Sequence, residues 1–142
     1  MRFAGFCGAF KERGLTYDRS LFRETRFSYD DGYEVARAFF TERPDVTALF
    51  AMSDTVAVGA IRALKDLGRS VPRDVSIVGF DGIDISRFML PRLTTVEQPV
   101  GEIARRSVNL LLDMMEKEAA PRHILVDALF RKRESLDRCS RS

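Results

Sequence analysis

The sequence predicts an α/β domain with a doubly wound parallel sheet, and three observations support this fold class. Strand-like and helical segments alternate along the 142 residues, as they do in parallel sheets with crossover helices. The run Val75–Phe80 is apolar at nearly every position, which is typical of a strand buried on both faces. Polar residues follow three of the predicted strands, at the sheet edge where open α/β folds bind ligands.

The composition is that of an ordinary globular domain. The net charge is +2, from 23 basic and 21 acidic residues, so no strong field favours a nucleic acid or an anionic membrane. The sequence has no apolar run of membrane-spanning length, and its N-terminus lacks the apolar core of a signal peptide. Cys7 and Cys139 define no disulfide framework, so we expect a reduced, cytoplasmic setting.

The first predicted element is a helix at the start of the chain. Its apolar residues recur at helical spacing, and Gly14 is a typical stop. These residues are Phe3, Phe6, Ala9 and Phe10. Because a parallel α/β unit normally opens with a strand, we expect the chain to begin partway through such a unit.

A weak strand pattern, Leu21–Phe27, precedes the second predicted helix. Ser28 or Asp30 can cap this helix, which then runs to about Glu42. Its inward face is expected to carry Tyr33, Ala36, Phe39 and Phe40.

Thr47–Met52 is predicted to be a buried strand that leads directly into a third helix. Ser53 and Asp54 can cap this helix, which spans Thr55 to Leu67 and ends at Gly68. Nearly every face of this helix is apolar, although packing on a sheet requires only one apolar face. The second apolar face therefore suggests a partner subunit.

The last third predicts two more strands around a long helix. Leu93–Val96 is a short strand, and Val100 to Lys117 form a helix with an apolar stripe. Ile124–Phe130 is predicted to be the final strand.

Polar side chains at the carboxyl ends of three strands are the candidate binding residues. They are Ser53 and Asp54, then Asp81, then Gln98. The carboxyl ends of parallel strands share one edge, so these side chains should converge on a crevice, with Arg2 and Phe27 on its rim. Acceptors, a forked donor and a flat apolar ring suit a polyhydroxylated ring.

Simpler interpretations exist for two of these residues. Asp81 can cap the turn through Gly82, and Asp54 can cap its helix. A hydrolase-type Mg²⁺ site at Asp54, Asp81 and Asp84 is a further alternative, but no nucleophile or anchoring lysine accompanies them.

The sequence contains little material for catalysis. His123 is the only histidine, and no Cys/His cluster has zinc-binding spacing. No phosphate-binding glycine loop is present either. We therefore predict that the chain is not an enzyme and uses no metal and no cofactor.

These segments resemble the effector-binding core of the lactose/galactose repressor (LacI–GalR) family of bacterial transcription regulators. The resemblance covers nearly the whole chain, in order: RFAGF, Gly32-Tyr33, TALFAMSDTVAVGAIRALKDLG, VPRDVSIVGFDG, PRLTTVEQP and RKRES. It implies a periplasmic-binding-protein-like lobe that is incomplete. The first strand, most of the N-terminal lobe and the helix-turn-helix would be absent.

The resemblance also implies a division of the chain. Residues 1–98 correspond to the C-terminal lobe without its first strand, and residues 99–124 to a helical segment of the N-terminal lobe. Residues 125–142 correspond to the final strand of the C-terminal lobe and a tail. The helix from Val100 would then expose its apolar stripe, which favours aggregation or self-association.

Site residues carry over from the family position by position. Arg2 matches an effector-contacting arginine, Phe27 the aromatic residue that stacks on the effector, and Asp81 the aspartate that binds its hydroxyls or ring nitrogens. Ser53 falls where many members have Asn, and Gln98 falls where a polar group often lines the pocket.

The resemblance implies partners as well. Val58 and Ile61, together with Phe88 and Met89, resemble the family's dimer surface. The expected partners are a small-molecule effector, most naturally a sugar, and a second copy of the chain. Operator DNA would be contacted only through an N-terminal headpiece, and no membrane is involved.

A periplasmic sugar-binding protein of a transporter is the alternative function, because it shares the lobed fold. The PRLTTVEQP crossover and the RKRES ending favour the regulator.

Overall fold

The computed structural model describes residues 2–117 and 120–138, so Cys139 lies outside the described residues. The helices are α1 (Arg2–Glu12), α2 (Tyr29–Glu42), α3 (Asp54–Asp66), α4 (Ile85–Phe88) and α5 (Val100–Lys117), with a 3₁₀ turn at Arg19–Leu21. The strands are β1 (Ala48–Phe50), β2 (Ser76–Asp81), β3 (Thr94–Glu97) and β4 (Leu129–Arg131).

The four strands form one sheet in the order β1-β2-β3-β4. β1 pairs with β2 and β2 with β3 in parallel, with Leu49 opposite Ile77 and Gly79 opposite Thr95. β4 is antiparallel to β3. The predicted α/β class and the shared direction of the first three strands are confirmed.

Helices α2 and α3 pack against each other so closely that their backbones are nearly in contact. A Cβ atom on Gly59 of α3 would lie 2.2 Å from the carbonyl oxygen of Tyr29. A Cβ atom on Gly32 of α2 would lie 2.7 Å from the carbonyl oxygen of Val56. Both glycines are therefore needed for the close approach, rather than for an unusual backbone conformation.

This helix pair corrects one expectation about the dimer surface. The second apolar face of α3 is covered by α2 of the same chain, and Ile61 is 7% exposed as part of the core. Val58 is half-buried. Ile61 is therefore not available to a partner subunit, because its own chain already buries it.

Leu21–Phe27 does not form the predicted strand. A 3₁₀ turn at Arg19–Leu21 comes first, and an irregular segment follows it. The carboxylate of Asp18 caps this turn by accepting bonds from the backbone N–H (2.8 Å) and the hydroxyl (2.6 Å) of Ser20. The same bonds from Ser20 lower the pKa of Asp18. The first residue of the predicted strand, Leu21, therefore belongs to a capped turn instead.

The predicted final strand, Ile124–Phe130, is shortened to β4. The register sets Glu97 opposite Leu129, and β3 ends at Glu97. In an antiparallel pair, the residues before Leu129 run past the end of β3 and find no strand to pair with there. Leu125 is accordingly 94% exposed.

Helix α5 begins where the sequence predicts and is described as far as Lys117, and its apolar stripe is exposed. The exposed members are Val100, Ile103, Val108, Leu111, Leu112 and Met115. Across residues 2–117 and 120–138, no helix has both the length and the apolar character that crossing a bilayer requires.

The RKRES segment bridges β2 and the start of β3 through hydrogen bonds. The hydroxyl of Ser135, which is fully buried, donates to the carbonyl of Ile77 (2.7 Å) and accepts from the N–H of Thr94 (2.8 Å). The guanidinium of Arg133 donates to the carbonyl of Leu93 at 2.8 Å and to the hydroxyl of Ser86 at 2.9 Å.

Candidate ligand-binding site

Three predicted site residues meet at the carboxyl edge of the parallel strands. Asp81 is the last residue of β2, and its Oδ1 accepts a bond from Nη2 of Arg2 at 2.8 Å. The same oxygen accepts a bond from Nε2 of Gln98 at 2.6 Å. Since β2 and β3 run in the same direction, residues 17 positions apart in the chain come together here.

Arg2 is held by contacts besides the ion pair. Its guanidinium lies over the ring of Phe80, 4.1 Å from the centroid, and Nη1 donates to the carbonyl of Met52. A guanidinium placed over an aromatic face gains cation–π attraction in addition to its hydrogen bonds. These contacts within the chain therefore fix the orientation of the Arg2 guanidinium.

An aromatic cluster positions α1, the helix that carries Arg2. The ring of Tyr17 makes edge-on contacts with Phe3, Phe6 and Phe10, with centroids 5.5 to 5.9 Å apart. Phe6 also stacks on Phe50 of β1. Desolvation in this cluster raises the pKa of Tyr17 above its usual 10.0. The helix is thereby fixed against the sheet by apolar contact.

An open pocket of about 590 Å³ lies beside this ion pair. Its lining residues are Arg2, Phe3, Phe27, Met52, Ser53, Thr55 and Asp81. Phe27 is 70% exposed, so a large apolar ring stands at the rim with most of its surface in contact with solvent. The pocket thus combines a carboxylate, a guanidinium and a free aromatic face.

Phe3, Met52 and Thr55 line the pocket but do not follow from the sequence argument. Each is a close chain neighbour of a predicted residue, Arg2 or Ser53. Their closeness in sequence to Arg2 and Ser53 could have indicated them as candidates. Sequence position alone does not show which neighbouring side chain faces the pocket.

Ser53 caps α3 and also faces the pocket. Its Oγ accepts a hydrogen bond from the backbone N–H of Val56 at 3.2 Å. A hydroxyl that accepts one bond can still donate its hydrogen, so the cap is compatible with a ligand contact.

Gln98 reaches the pocket through Asp81 and is not part of the lining. Besides the side-chain bond, its backbone N–H donates to the carbonyl of Asp81 at 3.1 Å. Gln98 therefore holds Asp81 in place through two hydrogen bonds without lining the pocket itself.

The structure does not place Asp54 in the pocket. Asp54 is fully buried, and its Oδ2 accepts bonds from the N–H groups of Gly82 (2.8 Å) and Ile83 (2.9 Å). Its Oδ1 accepts a bond from the hydroxyl of Thr95 at 2.6 Å. The expectation of a ligand contact is corrected, because the protein itself occupies both oxygens.

The Mg²⁺ alternative loses its basis with the same observation. Asp54 binds the backbone and a threonine, and Asp81 is paired with Arg2. Among the described residues, no group of three or more acidic, histidine or cysteine side chains is arranged to hold a metal ion.

The remaining dimer candidates differ in exposure. Phe88 in α4 is 76% exposed, and Leu90 just beyond it is also exposed. Met89 is partly buried against the core. Phe88 thus fits a contact surface, and dimerisation through it stays a prediction.

A second, more enclosed cavity of about 110 Å³ lies between α2, β1 and the irregular segment before α2. Its walls are mainly apolar, with Phe22, Phe39 and Leu49 among them. It contains none of the residues that converge on Asp81, so we assign the candidate site to the open pocket beside Asp81.

The family of the periplasmic binding protein-like domain matches residues 1–136. The chain belongs to this family, and the relatives and solved structures it resembles include LacI-type transcription regulators.

Two curated relatives illustrate the similarity. The transcriptional regulator MalR of Clostridium butyricum is 38% identical over 134 residues, which are 94% of this chain and 40% of the relative. The transcriptional repressor PurR of Haemophilus influenzae (strain PittEE) is 43% identical over 112 residues, 79% of this chain and 33% of the relative. The chain thus spans between a third and two fifths of these relatives.

A solved complex of the transcriptional regulator CelR with cellobiose superimposes with a TM-score of 0.90 at 34% identity. The match covers 94% of this chain and 41% of the other. Similar structures of LacI-family regulators contain lactose in one case, from Arthrobacter sp. FB24, and ribose in another, from Enterococcus faecium.

Proposed function

We propose that this chain is the effector-binding and dimerisation part of a LacI-type DNA-binding transcriptional regulator, and that its effector is a sugar or a related small molecule. The observation that carries this proposal is the convergence of Arg2 and Gln98 on one oxygen of Asp81, beside the exposed ring of Phe27. Related regulators with cellobiose, lactose and ribose bound support the sugar class.

The pocket matches the chemistry of a sugar ring. The described donors to Asp81, Arg2 and Gln98, both reach Oδ1, so Oδ2 is the oxygen available to accept a ligand hydroxyl. Arg2 can donate to a ring or hydroxyl oxygen from its fork. Phe27 can cover the apolar C–H face of the ring.

We further propose how the chain is divided between two lobes, where the protein works and how it reads DNA. Residues 1–98 act as the C-terminal lobe, residues 99–124 belong with the N-terminal lobe, and residues 125–142 return to the C-terminal lobe. The protein works in the cytoplasm as a homodimer without catalysis, and operator DNA is read by a separate headpiece. Effector binding closes the two lobes and thereby changes the spacing of the headpieces.

The kinds of relatives favour this function over the alternatives. The relatives and solved structures described above are regulators, which supports a regulator rather than a transporter-associated sugar-binding protein or a hydrolase.

The test uses the full-length gene product with Phe27→Ala and Asp81→Ala combined. We expect the double variant to lose its response to whichever of cellobiose, lactose and ribose the wild type binds, while retaining operator binding. Titration calorimetry and DNA mobility shift measure the two properties. Phe27 supplies the stacking face and Asp81 the acceptor, so removing both abolishes recognition.

Phe88→Ala is the matched control, since Phe88 is as exposed as Phe27 but does not line the pocket. It should leave sugar affinity unchanged. An intact sugar response in the double variant would show that the pocket assignment is wrong.

A further inference from the structure

We propose that Asp54 is a positioning residue that holds Asp81 in its ligand-binding conformation without touching the ligand. This inference rests on the proposed function of the pocket. It replaces the ligand role that the sequence suggested for Asp54 with a different one, exerted through the turn that follows Asp81.

Asp81 has a backbone conformation that residues with side chains rarely adopt. Its φ is 121°, and the next residue, Gly82, also has a positive φ of 78°. For a residue other than glycine, such a conformation is strained and persists only where the surroundings enforce it. The direction of the Asp81 carboxylate therefore depends on whatever holds this turn.

Asp54 makes the contacts that hold the turn. Its Oδ2 accepts from the N–H groups of Gly82 and Ile83, the two residues directly after Asp81, at 2.8 and 2.9 Å. Two adjacent N–H groups bound to one carboxylate oxygen fix the path of the chain at the end of β2.

The same carboxylate is anchored on its other side. Its Oδ1 accepts from the hydroxyl of Thr95 on β3 at 2.6 Å, and both residues are fully buried. Asp54 thus connects the start of α3, the turn after β2 and strand β3. Removing the carboxylate would leave three donors without their acceptor, and the loss costs most at the hydroxyl of Thr95, which is buried.

Gly79 offers a second, independent way to perturb the Asp54 carboxylate by substitution. A Cβ atom at this position of β2 would lie 2.3 Å from Oδ1 of Asp54 and 3.0 Å from Cδ2 of Leu93. Gly79→Ala therefore displaces the Asp54 carboxylate without changing any residue that lines the pocket.

Asparagine separates positioning from simple loss of the side chain. The amide oxygen of Asp54→Asn can accept from the N–H groups of Gly82 and Ile83, and its NH₂ group can donate to the oxygen of Thr95. Asp54→Ala can do neither. Rescue by asparagine is thus expected if the hydrogen bonds to the turn are what matters.

The experiment measures cellobiose, lactose and ribose binding to the full-length gene product by calorimetry, well below the unfolding midpoint of each variant. We expect Asp54→Ala and Gly79→Ala to weaken binding of the sugar that the wild type takes by about tenfold or more. Asp54→Asn should remain within about threefold of the wild type, because it keeps the hydrogen bonds of the turn.

Thr94→Val is the matched structural control. Thr94 is as buried as Thr95 on the same strand, but its hydroxyl oxygen accepts from the N–H of Arg133 and makes no contact with the turn. We expect this variant to lower stability and leave sugar affinity unchanged. An equal loss of affinity in Thr94→Val and Gly79→Ala would overturn the proposal.

Amide hydrogen exchange at Gly82 and Ile83 provides a readout that needs no ligand. Exchange should accelerate in Gly79→Ala and stay slow in Asp54→Asn and Thr94→Val, relative to the amide of Leu93. Unchanged exchange in Gly79→Ala would overturn the proposal, even if Asp54→Ala does not fold. If none of the three sugars binds the wild type, the assignment of these sugars as effectors fails, and the exchange rates still decide the role of Asp54.

Discussion

Helices α3 and α5 have similar apolar content and opposite surroundings. In α3, Ala57, Ala63 and Leu64 are fully buried, because the sheet covers one face and α2 covers the other. In α5, Val108, Leu111 and Met115 on the apolar stripe are exposed. Both helices are apolar enough to need a partner, and the described chain provides one for α3 alone.

The difference shows what an apolar pattern can and cannot tell. The pattern indicates that a face is to be buried, but it does not identify the element that buries it. For α3, the apolar pattern predicts a second subunit, and α2 of the same chain covers that face instead. For α5, the proposed division of the chain supplies the missing partner as the rest of an N-terminal lobe.

The largest expected contrast is between alanine substitutions at Leu64 and Leu111. Leu64→Ala removes a fully buried side chain of α3 and should lower the free energy of unfolding by about 2–5 kcal/mol. Leu111→Ala in this chain should change it by no more than about 0.5 kcal/mol, because the side chain is exposed. Urea denaturation measures both.

The same two substitutions in the full-length gene product test whether an N-terminal lobe covers α5. There, Leu111→Ala should become clearly destabilising if an N-terminal lobe covers α5. A small effect in both proteins would contradict the proposed role of residues 99–124.

Glycine-to-alanine substitutions in the two helices should have smaller effects on stability, and the two effects should have opposite signs. Gly59→Ala forces a Cβ atom against the backbone of α2, 2.2 Å from the carbonyl of Tyr29, and should cost about 1–3 kcal/mol. Gly101→Ala in α5 meets no atom within 4 Å, and should stabilise by up to about 1 kcal/mol. Thermal unfolding of the two variants, with wild type as reference, checks the sign of each effect.

The smallest expected effect concerns the solvent side of the α2–α3 pair. Hydrogen bonds from Arg62, and then from Tyr33, lower the pKa of Asp66 below its usual 3.8. A carboxylate with a lowered pKa adds stability above its usual pKa and loses it as the pH falls through the folded value. Asp66→Asn should therefore melt slightly below wild type at pH 7, and the gap should close on acidification below pH 3.8.

Arg62→Ala is the control for that pH dependence. Combined with Asp66→Asn, it should add little further loss, because Arg62 is the main cause of the shift. A gap between Asp66→Asn and wild type that persists unchanged in acid would contradict the assignment.

Elements defined by local residues could be predicted from the sequence closely. Ser28 and Ser53 cap α2 and α3 as their patterns indicate, and Gly68, with a positive φ of 72°, follows the end of α3. Caps and stop residues act within a few positions of the chain, so their effect is visible in the sequence.

Features set by distant residues could not be predicted. The extent of β4 depends on where β3 ends, at Glu97, and not on the apolar run that contains β4. The role of Asp54 depends on the path of the chain after Asp81, since a carboxylate at the start of a helix can bind its own helix or another segment. The convergence at Asp81 was predictable, because parallel strands place their carboxyl ends together.

The placement of Ser135 affects the order in which this unit can form during synthesis. Its side chain joins the backbones of β2 and β3 through Ile77 and Thr94, although Ser135 follows these residues in the chain by 58 and 41 positions. While a ribosome still shields Ser135, the nascent polypeptide lacks the link that joins the two strands there. Completion of the fold is therefore expected to follow translation of this region, and a stalled or prematurely terminated product would be a substrate for chaperones and proteases.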